Sequence, residues 1–136
     1  MRLVIDTNVI VSALLSPGRT PDRALEAVRA RRDVVLYDER VLCEYREVLS
    51  REKFRKIDPA RAEELIAGLI QHGERVVVAS AHTEAMIDDG DRIFVEVALA
   101  GRADAITTGN VRHYPTNLGF GVLPPAALLA EIGICS

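Results

Sequence analysis

Arg2-Leu3-Val4-Ile5-Asp6-Thr7-Asn8-Val9-Ile10 sets how the rest of the chain is read. Leu3-Val4-Ile5 is a continuous apolar run, as in a short strand buried on both faces. Asp6-Thr7-Asn8 are residue types that favour turns and helix caps, and Val9-Ile10 with Ala13-Leu14 are spaced as one face of a helix. The same alternation continues outward. Ser16-Pro17-Gly18 stops the first helix, Pro21 opens a second through Arg32, and Val34-Val35-Leu36-Tyr37 reads as a strand. A third helix fits Glu39 to about Phe54, with Val41, Leu42, Tyr45, Val48 and Leu49 on its apolar face, and a fourth fits Pro59 to near Gly73. Val76-Val77-Val78 reads as a strand, Asp88-Asp89-Gly90-Asp91 as an acidic turn and Ile93 to Ala98 as a helix. Ala105 to Thr108 and Gly121-Val122-Leu123 give two more strands, and Pro124-Pro125 opens a last helix. Strands alternating with helices predict right-handed crossovers and a mostly parallel sheet covered on both faces, a three-layer α/β/α sandwich.

A length of 136 residues predicts one domain spanning 1–136, and 49% apolar residues supply a full core. Two distant cysteines, Cys43 and Cys135, are too few for a disulfide framework, and Asp6 interrupts the apolar run too early for a signal peptide. A cytoplasmic location is the expectation. The stretch Val9 to Leu15 falls far short of the roughly 20 apolar residues that span a bilayer, so no membrane association is expected. The net charge of −3 hides a split: residues 19–61 carry 12 Lys/Arg against 9 Asp/Glu, whereas residues 62–136 carry 4 against 10. Fifteen of the 17 basic residues are arginine, whose planar fork of donors suits phosphate as well as carboxylate.

Ligands of open parallel sheets bind outside the carboxyl ends of the strands. Asp6, Asp38 and Asn110 follow predicted strands, Asp91 opens a predicted helix, and Glu44 lies about 40° round its helix from Val48, at the border of the buried face. Carboxylates gathered there repel one another unless cations neutralise them, and oxygen-rich sites choose Mg²⁺ or Mn²⁺. Such ions activate water and stabilise charge developing on a phosphodiester. His72, His82 and His113 are scattered, with no Cys/His ligand spacing, and no Gly-x-Ser-x-Gly elbow, Walker A loop or dinucleotide fingerprint occurs. Each acid also has a plainer reading: Asp6 and Asp91 as helix caps, Asp88 and Asp89 as solvated turn residues, Glu44 as a partner of Arg40, and Asp104 as a strand start. A receiver-like domain would need a lysine after a later strand, and the only lysines, Lys53 and Lys56, lie together at the end of the third helix.

Taken together, Leu3-Val4-Ile5-Asp6-Thr7-Asn8-Val9-Ile10, the Glu44-Tyr45 helix, Asp88-Asp89-Gly90-Asp91-Arg92-Ile93-Phe94 and Ala103-Asp104-Ala105-Ile106-Thr107-Thr108-Gly109-Asn110 resemble the PIN-domain family. The likeness is to its subgroup of toxin components of toxin–antitoxin systems. It implies a four- to five-stranded parallel sheet and a ribonuclease using one or two Mg²⁺ or Mn²⁺ ions. It further implies a homodimer with a protein antitoxin as partner. Carried over by position, Asp6, Glu44, Asp91 and Asp104 are the implied catalytic acids and metal ligands, with Asn110 as a further ligand. Asn110 stands where the family often has aspartate, keeping a carbonyl acceptor but losing a charge. Thr7, Asn8 and Thr108 are implied to orient the acids, and Arg112 to touch an RNA phosphate while the 19–61 arginines steer the backbone. Val111 and Phe120 are candidates for an exposed apolar dimer surface. The alternative is a PIN-fold module, weakened in catalysis through Asn110, that holds RNA or a partner.

Overall fold

The computed structural model describes residues 1–132. Five strands, β1 (Arg2–Ile5), β2 (Val34–Tyr37), β3 (Glu74–Arg75), β4 (Ala105–Thr107) and β5 (Gly121–Leu123), form one sheet in the order β3-β2-β1-β4-β5. Every pairing is parallel. Six helices connect and follow them: α1 (Thr7–Leu15), α2 (Thr20–Arg31), α3 (Glu39–Leu49), α4 (Pro59–His72), α5 (Arg92–Ala100) and α6 (Pro125–Ile132). Successive strand residues point to opposite faces, and Leu3, Val4 and Ile5 are all 0% exposed, so both faces of central β1 are covered. α2 packs on α1 and α6, while α3, α4 and α5 pack on β2, with α5 also reaching β1 and β4. The core includes Leu36, Tyr45, Ile66, Phe94, Ile106 and Leu128. No described helix is long and apolar enough to cross a membrane.

Three expectations shift. α3 ends at Leu49 rather than Phe54, and a single 3-10 turn, Glu52–Phe54, follows it. Arg51 between them is extended, which breaks the helix despite the apolar spacing. The third strand is Glu74–Arg75, not Val76–Val78. A Cβ on Gly73 would lie 2.4 Å from the Leu69 carbonyl oxygen and 2.5 Å from that of Val35, so glycine lets the end of α4 press onto β2 and pairing starts at once. β2 stops at Tyr37, paired with Arg75, and Val77 beyond it is 86% exposed. Phe120, expected at the surface, is buried in the core. Cys135 lies outside the described residues.

Candidate active site at the carboxyl end of the sheet

Asp6 is the first residue past β1. Its backbone N–H continues the ladder to the Thr107 carbonyl (3.0 Å), and its side chain caps α1 through the Asn8 N–H (3.4 Å). Capping is only part of its environment. Asp6 Oδ2 also accepts from Thr108 Oγ1 (2.8 Å) and from the Tyr114 hydroxyl (2.9 Å). Thr108 Oγ1 in turn accepts from Asn8 Nδ2 (3.3 Å) and the Asn110 N–H (3.0 Å), and Asn8 Oδ1 accepts from the Gly109 N–H (2.9 Å). The loops after β1 and β4 are thereby tied into one network around a buried carboxylate. Thr7 stands outside it: its buried hydroxyl has no partner, so it orients none of the acids.

Glu44 is half-buried on α3. Arg40, its expected partner, pairs instead with Asp38 (2.9 Å) and Glu96 (2.5 Å), and Arg51 pairs with Glu47 (2.8 Å). The Glu44 carboxyl is consequently raised above its ordinary range, by burial first and then by Glu47, with Asp6 and Asp88 adding repulsion against the pull of Arg51. Asp91 makes no side-chain cap to α5; Asp88 caps the preceding 3-10 turn, Asp89–Asp91, through the Gly90 N–H (2.8 Å). Burial, followed by the charges of Asp6 and Asp88, pushes the Asp91 carboxyl up to about 6 despite the opposing His113. Asp91 Oδ2 is shut from solvent with no hydrogen-bond partner.

Asp104 does not join this group. It precedes β4, at the amino end of the sheet, where its Oδ2 accepts from the Arg2 N–H (2.7 Å). Parallel pairing of β1 with β4 puts the whole strand length between Asp104 and Asp6, so the expectation that Asp104 is a catalytic acid and metal ligand is corrected. Asn110 is exposed in the loop after β4, its backbone fastened to Thr108. Arg112, two residues on, is exposed and forms no ion pair among the described residues.

Four participants escape a reading of the sequence. Tyr45, wholly buried, donates its hydroxyl to the Ile5 carbonyl, next to Asp6 (2.5 Å). Burial and then the Asp6 charge raise the hydroxyls of Tyr45 and Tyr114, which keeps both as donors. Asp88 and His113 flank Asp91, and donor atoms of the three lie within 4.8 Å of one another. Tyr114 and His113 share the loop of Asn110, and that proximity in sequence was the available sign. The donors are suited to a divalent cation: several carboxylates, one with an unsatisfied buried oxygen, and no lysine or arginine within ion-pair distance of Asp6, Glu44 or Asp91 among the described residues.

An all-parallel sheet with unneutralised acids beyond the end of its central strand defines an α/β protein with a polar, cation-suited site. The family model of the PIN domain matches residues 2–112, and the chain belongs to that family. Its fold is similar to a chain in the crystal structure of VapBC2 from Rickettsia felis bound to a DNA fragment from their promoter. The TM-score is 0.63 at 16% identity, covering 91% of this chain and 98% of that one, a likeness of fold. No curated protein matches the sequence.

Proposed function

We propose that this chain is a ribonuclease that depends on Mg²⁺ or Mn²⁺, hydrolyses RNA phosphodiester bonds, and acts as the toxin of a toxin–antitoxin pair. The observation that carries the reading is the buried Asp91 carboxyl, held at about 6 by burial and then by the charges of Asp6 and Asp88 and left with one oxygen unsatisfied, while Asp6 also adds to the raised Glu44 carboxyl. Asp6, Glu44 and Asp91 would hold one or two divalent ions, with the Asn110 amide oxygen as a further donor at the rim. A bound ion of this kind supplies an activated water and counter-charge for the phosphodiester. The residues of the chain do the rest. Thr108 and Tyr114 hold the Asp6 carboxylate in one orientation, Asn8 fixes Thr108, and Arg112 offers an exposed guanidinium to an RNA phosphate. Arginines of residues 19–61 attract the backbone, so affinity falls as salt rises.

Membership of the PIN family and likeness of fold to a VapBC2 chain support the toxin role and a protein antitoxin as partner, and a homodimer in the cytoplasm completes the proposal. Incubating single-stranded and structured RNA with purified protein and Mn²⁺ or Mg²⁺, beside Asp6→Asn, tests the catalytic part. Cleavage is expected only for the unaltered chain with metal. Cleavage that survives excess chelator or the substitution overturns the mechanism, and RNA bound but never cut favours the binding module weakened at Asn110.

A further inference from the structure

Asp88 and Asp91 precede α5, and His113 lies in a 3-10 turn, Val111–His113, after β4. Asp91 is nine-tenths buried and its Oδ2 is aimed at this cluster, 3.4 Å from His113 Nδ1. Neither atom has a hydrogen-bond partner, although both are shut from solvent. An unsatisfied buried polar atom is costly, so two of them facing each other 3.4 Å apart, too poorly aligned to hydrogen-bond, are suited to share a cation. A cation about 2.1 Å from each donor holds neighbouring donors roughly 3 to 4.2 Å apart. The 3.4 Å separation fits that spacing, and the group as a whole lies within 4.8 Å. Asp88 is exposed, with Oδ1 fastened to the Gly90 N–H, so it offers a fixed carboxylate on the solvent side by which an ion can arrive.

We propose that Asp88, Asp91 and His113 form a cation position of their own, with His113 Nδ1 as a direct ligand. It takes nitrogen-accepting first-row divalent ions, such as Mn²⁺ or Co²⁺, in preference to Mg²⁺ and Ca²⁺. Imidazole in the donor set is the reason, because Mg²⁺ and Ca²⁺ favour oxygen alone whereas affinity for first-row ions is strengthened by nitrogen. Asp91 is thus shared with the proposed catalytic group, and the inference rests on that reading of Asp91 as a ligand, although it requires no turnover.

The test is metal binding to chelator-stripped protein. Mn²⁺ bound to the unaltered chain should show nitrogen-14 modulation in pulsed electron paramagnetic resonance, the mark of a directly bound imidazole. In His113→Gln that modulation should disappear, Mn²⁺ affinity should fall at least about tenfold, and Mg²⁺ affinity should stay within about twofold. Bound Mn²⁺ with oxygen-only coordination in the unaltered chain overturns the proposal, as does a His113→Gln protein that binds Mn²⁺ undiminished. The two readings fail separately. Nitrogen modulation without RNA cleavage leaves this site standing and removes the ribonuclease; cleavage with oxygen-only coordination does the reverse.

Discussion

The acids at the amino end of the parallel sheet and those around Asp6 at its carboxyl end are of the same kinds and are treated in opposite ways. At the amino end, Asp33 meets the Met1 ammonium (2.9 Å) and Arg31 (3.2 Å), Glu74 meets Arg2 (2.7 Å), and Asp104 accepts from the Arg2 N–H. Asp33 and Glu74 are answered by cations and Asp104 by a backbone N–H, and Arg2 together with Gly101, whose carbonyl accepts from Arg2 Nε (3.0 Å), closes that end. At the carboxyl end, Asp6, Glu44 and Asp91 have hydroxyl partners, a histidine at 3.4 Å or nothing. Burial and strand position therefore do not by themselves mark a functional acid. Burial without a cation is what sets Asp6, Glu44 and Asp91 apart from Asp33 and Glu74, because uncompensated charge is retained in a fold only at a cost.

The hardest test of this contrast is Asp6→Asn, which should lower RNA cleavage about 10³-fold, corresponding to several kcal/mol of lost metal-supplied stabilisation. Steady-state rates with saturating Mn²⁺ measure it, and an unchanged rate would dissolve the distinction between the ends. Thr108→Val removes the hydroxyl that donates to Asp6 and accepts from Asn8 and Asn110. Its expected loss is roughly 10–100-fold in metal affinity or cleavage, read by titration and rate.

A smaller effect depends on pH. The Asp91 carboxyl is held at about 6 when folded, above its ordinary 3.8, so the folded metal-free chain binds the proton more tightly than the unfolded one. The contribution of Asp91 to stability is therefore fullest below the ordinary value, declines as pH rises through this window and levels off above about 6. Asp91→Asn should remove the decline, making metal-free protein more stable at pH 8 by on the order of 1–2 kcal/mol, with the gain vanishing near pH 4. Urea unfolding with chelator at the two pH values checks it, and equal gains at both would show that repulsion is not the cause. Smallest is Asp104→Asn at the opposite end: cleavage should stay within about twofold, and stability should drop by about 1 kcal/mol for the weakened bond to the Arg2 N–H. A large loss of cleavage there would return Asp104 to the catalytic group.

Much of this was legible locally. The apolar run ending at Asp6, the stop at Ser16-Pro17-Gly18 and the prolines at the starts of α2, α4 and α6 give element order because each is a property of a few adjacent residues. The places of Asp6 and Glu44 followed from the ends of strands and the faces of helices. Asp104 misled because its role was taken from the resemblance, whereas its place just before the strand at Ala105 puts it at the amino end, away from the site. β3 misled because β-branched content describes Val76–Val78, whereas pairing is decided by how closely Gly73 brings the chain to β2.

The order of amino acids alone dictates the alternation of strands and helices, the parallel sheet that follows from it, and an acid after the first strand. Which acids find a cation and which only a neutral donor is settled only once the chain has folded, since the partners that matter, Thr108 and Tyr114 for Asp6, the Arg2 N–H for Asp104, Glu96 for Arg40 and His113 beside Asp91, are far away along the chain. Secondary structure is set over a few residues, but charge compensation acts through space over a few ångströms, and only the folded chain brings those distances about.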